Sequence, residues 1–223
     1  MTTSATSMPE VVLFDLGGVL MDFVGLRRLA ELAGEDDGPA LRDRWIRSPW
    51  VGAFERGSCD ADAFAAGMVQ EWSLDLSPAD FMEDFRNWSA GPFPGSLDLV
   101  RGLQGTVQTG CLSNTNPAHW QLHLDRWGIV QHLDWTFTSH EMGMSKPNPA
   151  VFLHVIQALD TAPERLLFLD DAAENVRAAR AVGLRAEQTR GLQEVLDALV
   201  AHLPADSPSG QAVRKIAQNA ARS

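Results

Sequence analysis

The strongest constraint on the fold is an alternation of short apolar runs with amphipathic stretches. Val11–Phe14 is a continuous run of four apolar residues, as is typical of a strand buried on both faces. Leu166–Leu169 is a second such run, and it ends at Asp170. Weaker strand candidates are Val107–Leu112, Leu133–Thr138 and Leu184–Gln188. Because short strands that alternate with helices form parallel sheets, the pattern predicts an α/β fold with helices on both faces of the sheet.

Helical patterns fill most of the intervals between these strands. The predicted core helices cover residues 95–104, 117–128, 149–159, 173–182 and 191–202. Residues 24–91 differ, because they contain no convincing strand. Four helical stretches are predicted there, near residues 25–33, 39–48, 60–72 and 78–89. A helical block that interrupts the α/β pattern directly after the first strand predicts a small cap domain inserted at this point.

The chain is therefore expected to have four parts. The first three are a flexible leader at residues 1–9, an α/β core at residues 10–23 and 92–203, and a helical cap at residues 24–91. Residues 204–223 begin with turn-forming residues, and we interpret them as a C-terminal tail or a loosely docked terminal helix.

The charge of the chain argues against some classes of binding partner. Its formal net charge is −11 and its pI is near 4.9, a negative field that argues against nucleic acid and against anionic membrane surfaces. No apolar run approaches the ~20 residues that a membrane-spanning helix needs. The two cysteines, Cys59 and Cys111, are far apart and suit a reducing compartment. We therefore expect a cytoplasmic monomer or homodimer whose partner is a small molecule.

Polar residues follow the predicted strands, at the point where each strand ends. Asp15 and a pair of glycines follow the first strand, and Ser113 and Asn114 follow the second. Lys146 lies in the loop after the third strand, and Asp170 and its neighbour Asp171 follow the fourth. Ligands of open parallel sheets bind beyond the carboxyl ends of the strands. These side chains are therefore expected to converge on one crevice.

These residue types suit phosphoryl transfer. A carboxylate such as that of Asp15 can attack phosphorus and form an aspartyl-phosphate, which divides one difficult step into two easier ones. Mg²⁺ prefers carboxylates, phosphate oxygens and water, and Asp15 with Asp170 and Asp171 offers the carboxylates. Lys146 supplies a compact positive charge that offsets phosphoryl oxygens and restrains the acidic cluster.

Each of these residues also has an ordinary interpretation. A single Asp at a strand end is most often a cap or turn residue, and Asp170 with Asp171 before a helix fits an N-cap. Lys146 by default is a solvated loop lysine, and Ser113 a turn residue. The order of the residues along the chain favours the catalytic interpretation, because four independent ordinary explanations would have to coincide.

The same segments resemble the haloacid dehalogenase superfamily over residues 10 to about 200. The motifs that carry the resemblance are Phe14–Leu20 (FDLGGVL), Leu112–Asn116 (LSNTN), Gly143–Pro147 (GMSKP) and Phe168–Asp171 (FLDD). The chain is similar to the sugar-phosphatase branch that includes bacterial glucose-1-phosphate phosphatase, and to the phosphatase domain of soluble epoxide hydrolases. The resemblance implies a Rossmann-like parallel sheet core with a small helical cap domain inserted after the first strand.

The resemblance also implies roles in catalysis and in phosphate binding. Asp15 would be the nucleophile, and Lys146 would stabilise the aspartyl-phosphate and bind the phosphate. Ser113 and the backbone of Asn114 would complete the phosphate-binding residues. The substrate implied is a small phosphorylated molecule.

The cofactor that the resemblance implies is Mg²⁺. Its ligands would be the carboxylate of Asp15, the main-chain carbonyl of Gly17 and, as the second carboxylate, Asp171. Asp170 would lie close by and also belongs to the expected metal site, with Asn175 in its surroundings.

The chain departs from the superfamily pattern at Gly17. Most phosphatases of the superfamily carry a second Asp at this position, which protonates the leaving alcohol and then activates water. A general acid/base contributes about 10²–10⁴-fold, so its loss predicts a slow or selective phosphatase that favours good leaving groups. The glucose-1-phosphatase branch also has Gly here. Asp22 is a candidate replacement, and its alternative interpretation is a hinge residue next to the cap.

Two other functions are open at this point. The 2-haloacid dehalogenases of the superfamily also lack the second Asp, because a halide needs no proton, but they need no metal. A non-catalytic protein that binds a phosphometabolite or a protein partner is the other alternative. The acidic pair and the lysine favour a Mg²⁺-dependent phosphatase that prefers sugar phosphates.

Overall fold

The computed structural model describes residues 8–220. The strands are β1 (Val11–Phe14), β2 (Met21–Phe23), β3 (Ser89–Pro92), β4 (Gln108–Ser113), β5 (Trp135–Thr138), β6 (Leu166–Asp170) and β7 (Arg185–Gln188). The helices are α1 (Gly25–Ala33), α2 (Pro39–Arg47), α3 (Pro49–Glu55), α4 (Ala61–Glu71), α5 (Pro78–Arg86), α6 (Ser96–Leu103), α7 (Pro117–Leu122), α8 (Ser139–Met142), α9 (Pro149–Leu159), α10 (Ala173–Ala181), α11 (Gly191–His202) and α12 (Pro208–Ala220). Within residues 8–220, no helix has both the length and the apolar character to cross a bilayer.

Five of the strands form one parallel sheet in the order β5-β4-β1-β6-β7. This confirms the predicted α/β fold with a Rossmann-like parallel core. Strand β1 lies at the centre, where Phe14 is in register with Cys111 of β4 and with Leu169 of β6. The carboxyl ends of these three strands therefore lie side by side, as the crevice interpretation requires.

The continuous apolar run of β1 is explained by burial on both faces. Val12 and Phe14 pack into a core cluster with side chains of α6 and α11. Val11 and Leu13 point the other way, into a cluster with side chains of α9 and α10. Since successive residues of a strand face opposite sides, a strand covered on both faces must be apolar at every position.

The predicted core helices are confirmed with one difference. Helices α6, α9, α10 and α11 match their predicted ranges to within a residue or so. The predicted helix at residues 117–128 instead consists of α7 followed by a π-helical turn at His123–Trp127. Short 3₁₀ segments lie at Ile129–His132 and Pro163–Arg165.

Residues 24–91, here called the helical block, contain five helices rather than the four predicted. Ser48 ends α2 and its hydroxyl accepts a hydrogen bond from the Val51 backbone N–H at 3.4 Å, which starts α3. The sequence prediction lacks α3, because the predicted stretches at 39–48 and 60–72 leave residues 49–55 without an assigned helix. The block has a hydrophobic cluster of its own, in which Phe54 and Phe64 stack at 4.4 Å. The division of the chain into a core and a cap at residues 24 and 91 stays a prediction that this separate cluster supports.

The expectation of no strand in residues 24–91 is wrong at the end of the block. There β3 pairs antiparallel with β2, so that Asp22 lies opposite Gly91. The residues of β3 are Ser, Ala, Gly and Pro, none of which favours strands. This pairing depends on a partner almost seventy residues away in the chain and leaves no local signal in the sequence.

Both ends of the described chain pack on the core. Residues 1–7 of the predicted leader lie outside the described residues, whereas Met8 packs against the core. Most of the segment at 204–223 forms α12, which packs against α6 and α11. Val213 is fully buried there, and Arg214 donates hydrogen bonds to the carbonyl oxygens of Val200 at 3.0 Å and Leu203 at 3.3 Å. Residues 208–220 are therefore a docked terminal helix.

Candidate active site

The structure brings the predicted site residues together at the carboxyl edge of the sheet. Asp15 follows β1 directly, and its backbone N–H donates to the carbonyl oxygen of Leu169 at 2.8 Å. Ser113 is the last residue of β4, and Asp170 is the last residue of β6. Because β1 lies between β4 and β6, these polar groups face one crevice.

Lys146 reaches the same crevice from the loop after α8. Asn114 holds its main chain, because the Asn114 amide accepts from the Lys146 N–H and donates to the Lys146 carbonyl, each at 2.9 Å. The lysine side chain is 1% exposed, and its ammonium lies 2.6 Å from Asp170 Oδ2 and 3.1 Å from Asp15 Oδ1. It also donates to the carbonyl oxygen of Leu112 at 2.7 Å. An ammonium has three donors, and here each has a partner.

Three carboxylates form an acidic cluster around this ammonium. One oxygen from each of Asp15, Asp170 and Asp171 lies within 4.8 Å of the others. The Asp170 carboxylate is fully buried and accepts from the Ala172 backbone N–H at 2.8 Å and from the Asn175 amide at 3.0 Å. Asp171 is only half-buried. The donor set consists of oxygens alone, which is the chemistry that Mg²⁺ requires, and three carboxylates facing one ammonium leave an excess of negative charge that suits a divalent cation.

Gly18 makes room for Asp171. A Cβ atom at Gly18 would lie 3.1 Å from the Asp171 carboxylate, and Gly18 has a φ of +75°, which side chains rarely adopt. Gly17 is different, because its φ is not in the left-handed region and a Cβ there would lie 3.8 Å from Phe23 Cβ, an ordinary contact. The backbone therefore requires glycine at position 18 and tolerates a side chain at position 17.

The cluster shifts the protonation of its members. Burial raises the pKa of Asp15 to about 7, with the charges of Asp170 and Asp171 adding to the rise and Lys146 opposing it. Burial lowers the pKa of Lys146, but Asp15 and Asp170 outweigh burial, so its pKa is raised. Burial, followed by the charge of Asp170, raises the pKa of Asp171. The lysine is thus held in its charged form, whereas further positive charge beside Asp15 and Asp171 would favour their ionised forms.

A cavity of about 110 Å³, here called the central cavity, lies between these core residues and the helical block. Asp15, Ser113 and Asn114 line it from the core. Trp45, Glu55 and Phe85 line it from the helical block. The wall that faces Asp15 is therefore partly aromatic and carries one carboxyl group, that of Glu55.

Two further cavities adjoin the acidic cluster. A cavity of about 370 Å³, here called the second cavity, is lined by Lys146, Asp171 and again Glu55. A cavity of about 510 Å³, here called the third cavity, is lined by Gly17, Asp171 and Asp22. Asp22 is exposed, and the central cavity has no contribution from it. Glu55 therefore lines both the central and the second cavity, whereas Asp22 lines neither of them and borders the third.

Two buried histidines complete the wall of the central cavity. His119 Nε2 lies 2.7 Å from the carbonyl oxygen of Phe85, which can only accept, so Nε2 carries the proton and Nδ1 accepts from the Asn116 amide at 3.2 Å. His123 Nε2 pairs with the Ser89 hydroxyl at 3.0 Å. Burial lowers the pKa of both histidines to about 4. They are neutral near pH 7, and they join the core to the helical block.

Sequence reasoning missed Glu55 as a member of the site. A glutamate near the end of a short helix is by default a solvated surface residue, and the helix itself, α3, was not predicted. The predicted site residues Asp15, Ser113, Asn114, Lys146, Asp170 and Asp171 all lie in or beside the central and second cavities. No local pattern distinguishes Glu55 from the other acidic residues of the helical block.

The fold and the site define an α/β protein with a lysine-bridged acidic cluster at the carboxyl edge of a parallel sheet. The family model described as haloacid dehalogenase-like hydrolase matches residues 9–183, which is well over half of the chain. The chain therefore belongs to the haloacid dehalogenase-like hydrolase family. This confirms the resemblance at the level of the superfamily, and the branch within it stays a prediction.

Several curated relatives are phosphatases. Pyrimidine 5'-nucleotidase YjjG of Escherichia coli is 29% identical over 132 residues, which cover 56% of this chain and 58% of the relative. Phosphoglycolate phosphatase 1 of Pseudomonas aeruginosa is 28% identical over 81% of this chain and 69% of the relative. D-ribitol-5-phosphate phosphatase of Bacteroides thetaiotaomicron is 23% identical over 81% of this chain and 92% of the relative. The match with the nucleotidase thus spans less than two thirds of that protein.

Solved structures share the fold. A family enzyme from Bacteroides thetaiotaomicron, bt-2542 in complex with magnesium and inorganic phosphate, superposes with a TM-score of 0.66 at 21% identity, over 82% of this chain and 95% of that chain. The L-2-haloacid dehalogenase from Xanthobacter autotrophicus superposes with a TM-score of 0.61 at 20% identity, over 88% of this chain and 85% of that chain. A family enzyme that binds magnesium and phosphate and a haloacid dehalogenase thus share this architecture, so the fold does not distinguish a phosphatase from a dehalogenase.

Proposed function

We propose that this protein is a Mg²⁺-dependent phosphatase that hydrolyses a small phosphomonoester through an aspartyl-phosphate on Asp15. The observation that carries the proposal is the buried ammonium of Lys146, which joins Asp15 to Asp170 beside the half-buried Asp171. Relatives that are named phosphatases, and the related enzyme bound to magnesium and phosphate, support the same reaction.

Asp15 is the proposed nucleophile. Its Oδ1 accepts a hydrogen bond from the Leu16 backbone N–H at 2.7 Å and pairs with Lys146, which fixes the orientation of the carboxylate. The other oxygen is then free to attack phosphorus, and the leaving oxygen departs with the rest of the substrate. Lys146 offsets negative charge on the phosphoryl group as the aspartyl-phosphate forms.

The proposed metal ligands are the carboxylates of Asp15 and Asp171 and the main-chain carbonyl of Gly17, with Asp170 in support. When bound, Mg²⁺ neutralises the charge of the phosphoryl oxygens so that one anion can approach another. Asp170 has both oxygens engaged by Lys146, Asn175 and a backbone N–H. It is therefore better placed to orient the lysine than to give up these contacts, whereas Asp171 is the more accessible carboxylate.

The phosphate is proposed to lie against Ser113, the backbone of Asn114 and Lys146. Ser113 is buried at the end of β4 and lines the central cavity beside Asp15. The side chain of Asn114 is committed to the main chain of Lys146, which leaves its backbone for the substrate. These groups would hold the phosphorus in line with the Asp15 carboxylate.

The leaving group is proposed to be small, and sugar phosphates are the preferred class. The central cavity of about 110 Å³ leaves little room beyond the phosphoryl position. Its wall combines aromatic rings with neutral histidines and Ser89, a mixture that suits a compact hydroxylated molecule.

The two cysteines are unpaired, which supports the proposed cytoplasmic location.

A metabolite phosphatase panel tests this proposal. The protein is incubated with sugar phosphates and acyl phosphates in the presence of Mg²⁺, with EDTA as the metal-free arm and Asp15→Asn as the inactive control. We expect phosphate release that EDTA stops and that added Mg²⁺ restores. If no compound of the panel releases phosphate while one of them raises the Tm, the protein is a binding protein and not a phosphatase.

A dehalogenase is the second candidate, because position 17 holds glycine and so lacks a carboxyl group. An alcohol leaving group needs a proton from such a group, whereas a halide does not. The acidic cluster opposes it, since halide displacement needs no cation. Halide release from 2-chloropropionate in the presence of EDTA would favour the dehalogenase and overturn the phosphatase.

A further inference from the structure

The proposed phosphatase reaction leaves one proton without a donor. An alcohol leaving group must be protonated as its bond to phosphorus breaks, and position 17 holds glycine. The central cavity holds, besides Asp15 itself, one other carboxyl group, that of Glu55 at the end of α3. The inference that follows rests on the proposed function and concerns the residue that moves this proton.

Glu55 faces the space where the leaving group must lie. It lines the central cavity together with Asp15 and Ser113, and the second cavity together with Lys146 and Asp171. Within residues 8–220, its carboxyl group takes part in no hydrogen bond or ion pair with another side chain. A half-buried carboxyl group that faces a polar cavity without a protein partner is free to bond to a ligand there.

The surroundings of α3 hold Glu55 in this position. Phe54, its neighbour, is 2% exposed and stacks on Phe64 in the cluster of the helical block. Helix α3 packs against α8 of the core. Just beyond the helix, Gly57 approaches so closely that a Cβ atom there would lie 2.6 Å from the carbonyl oxygen of His140. Glu55 is therefore fixed from both the helical block and the core.

The other titratable groups near the site are less suited. Asp22 lines the third cavity and does not line the central cavity, where Asp15 and Ser113 lie. His119 has both ring nitrogens engaged by Phe85 and Asn116. Burial lowers the pKa of His123 to about 4, so near pH 7 it is not in the charged form that gives up a proton.

We propose that Glu55 is the general acid and base of this enzyme, supplied by the helical block in place of a carboxylate at position 17. As Asp15 bonds to phosphorus and the bond from phosphorus to the leaving oxygen breaks, the Glu55 carboxyl group gives its proton to that oxygen. In the second step water attacks the aspartyl-phosphate, Asp15 leaves as a carboxylate, and the proton of the water returns to Glu55. Each turnover thus restores both residues.

The protonation of Glu55 fits this role. Burial raises the pKa of Glu55 to about 7, Lys146 and Arg56 oppose the rise, and Asp15 adds to it. Across the second cavity it faces Arg42 and the acidic residues Asp171 and Glu174. A carboxyl group that is partly protonated near neutral pH can both give and accept a proton, which is the condition for a general acid/base.

The test compares two leaving groups in the Glu55→Gln variant with Mg²⁺ present. On an alkyl phosphate such as β-glycerophosphate, whose alcohol needs a proton, we expect kcat/KM, which reports the steps up to release of the alcohol, to fall by about 10²–10⁴-fold. On p-nitrophenyl phosphate, whose leaving group departs without a proton, the fall in kcat/KM should be far smaller, although kcat falls wherever hydrolysis of the common aspartyl-phosphate limits the rate. Glu83→Gln, which removes an exposed glutamate from α5 of the same block, should leave both activities unchanged.

The outcomes separate the two proposals. If the unsubstituted protein hydrolyses neither substrate, the proposed phosphatase function fails. If it is active and Glu55→Gln lowers kcat/KM equally for both substrates, or for neither, while its circular dichroism and Tm match the parent, Glu55 is not the proton donor. Asp22→Asn tests the other candidate for this role. If Asp22→Asn loses activity on β-glycerophosphate but not on p-nitrophenyl phosphate, while Glu55→Gln is unaffected, the proton donor is Asp22.

Discussion

The ammonium of Lys146 lies 2.6 Å from Oδ2 of Asp170, and neither side chain is more than 1% exposed. Removing one member of a buried ion pair leaves the other unpaired, which costs about 3–5 kcal/mol. Lys146→Met should therefore lower the free energy of unfolding by about that amount as well as abolish turnover.

Urea unfolding followed by circular dichroism measures the effect of Lys146→Met. Lys215→Met is the matched control, because Lys215 is exposed on α12. The double variant Lys146→Met with Asp170→Asn should recover part of the loss, since it removes the unpaired charge. A Lys146→Met protein as stable as its control would contradict the account of this pair.

Gly17 offers a gain-of-function prediction. A Cβ atom at position 17 meets only an ordinary contact of 3.8 Å with Phe23, so Gly17→Asp should fold normally. In the Glu55→Gln background, Gly17→Asp places a carboxyl group two residues after Asp15 and should restore much of the lost activity on alkyl phosphates. The kcat of the double variant on β-glycerophosphate, compared with that of Glu55→Gln alone, measures the recovery.

Gly18 should be far less tolerant than Gly17. Its φ of +75° and the 3.1 Å approach of the Asp171 carboxylate both oppose a side chain. Gly18→Ala should cost about 1 kcal/mol or more in the free energy of unfolding and should displace Asp171. Isothermal titration with Mg²⁺ should show weaker binding than in the parent protein, and unchanged binding would remove Asp171 from the metal site.

The buried histidines predict a loss of stability in acid. His119 and His123 have a pKa of about 4 in the folded protein, against an ordinary value of 6.5. Between these two pKa values the unfolded chain binds more protons than the folded protein does. The free energy of unfolding is therefore highest above pH 6.5 and falls as the pH falls towards 4. The loss is as much as about 3 kcal/mol for each histidine.

A comparison with non-titrating side chains isolates this effect of the histidines. Raised carboxyl pKa values, such as those of Asp15 and Glu55, act in the opposite direction, because those groups bind protons more readily in the folded protein. The double variant His119→Gln with His123→Gln should therefore lose less stability than the parent between pH 6.5 and pH 4.5, as measured by urea unfolding. An identical loss would show that other groups control the acid transition.

The features that can be predicted from the sequence are those determined by the residues of a single segment. Strand β1 is recognisable because burial on both faces makes Val11–Phe14 apolar at every position. Asp15 is recognisable as a site residue because the carboxyl end of a central parallel strand is where ligands bind. The order of the motifs along the chain then predicts Lys146 and Asp171 as its neighbours, and the structure brings these residues together.

The parts that sequence reasoning missed depend on contacts between distant segments. The pairing of β2 with β3 joins residues almost seventy positions apart and uses residues that do not favour strands. Glu55 reaches the cavity only because α3 packs on α8 and because Gly57 allows close approach to the core. Position 17 holds glycine, so the motif that contains Asp15 has no proton donor. The proposed replacement, Glu55, lies on another part of the chain.

The most direct test of the central claim is to look for the phosphoryl group on Asp15. The protein with Mg²⁺ is mixed with an accepted substrate, quenched in acid during the first turnovers, digested and examined by mass spectrometry. We predict that the peptide containing Asp15 carries one phosphoryl group, that the modification decays as product forms, and that Asp15→Asn shows none. Phosphate release without any modification of Asp15 at any time during turnover would contradict the account.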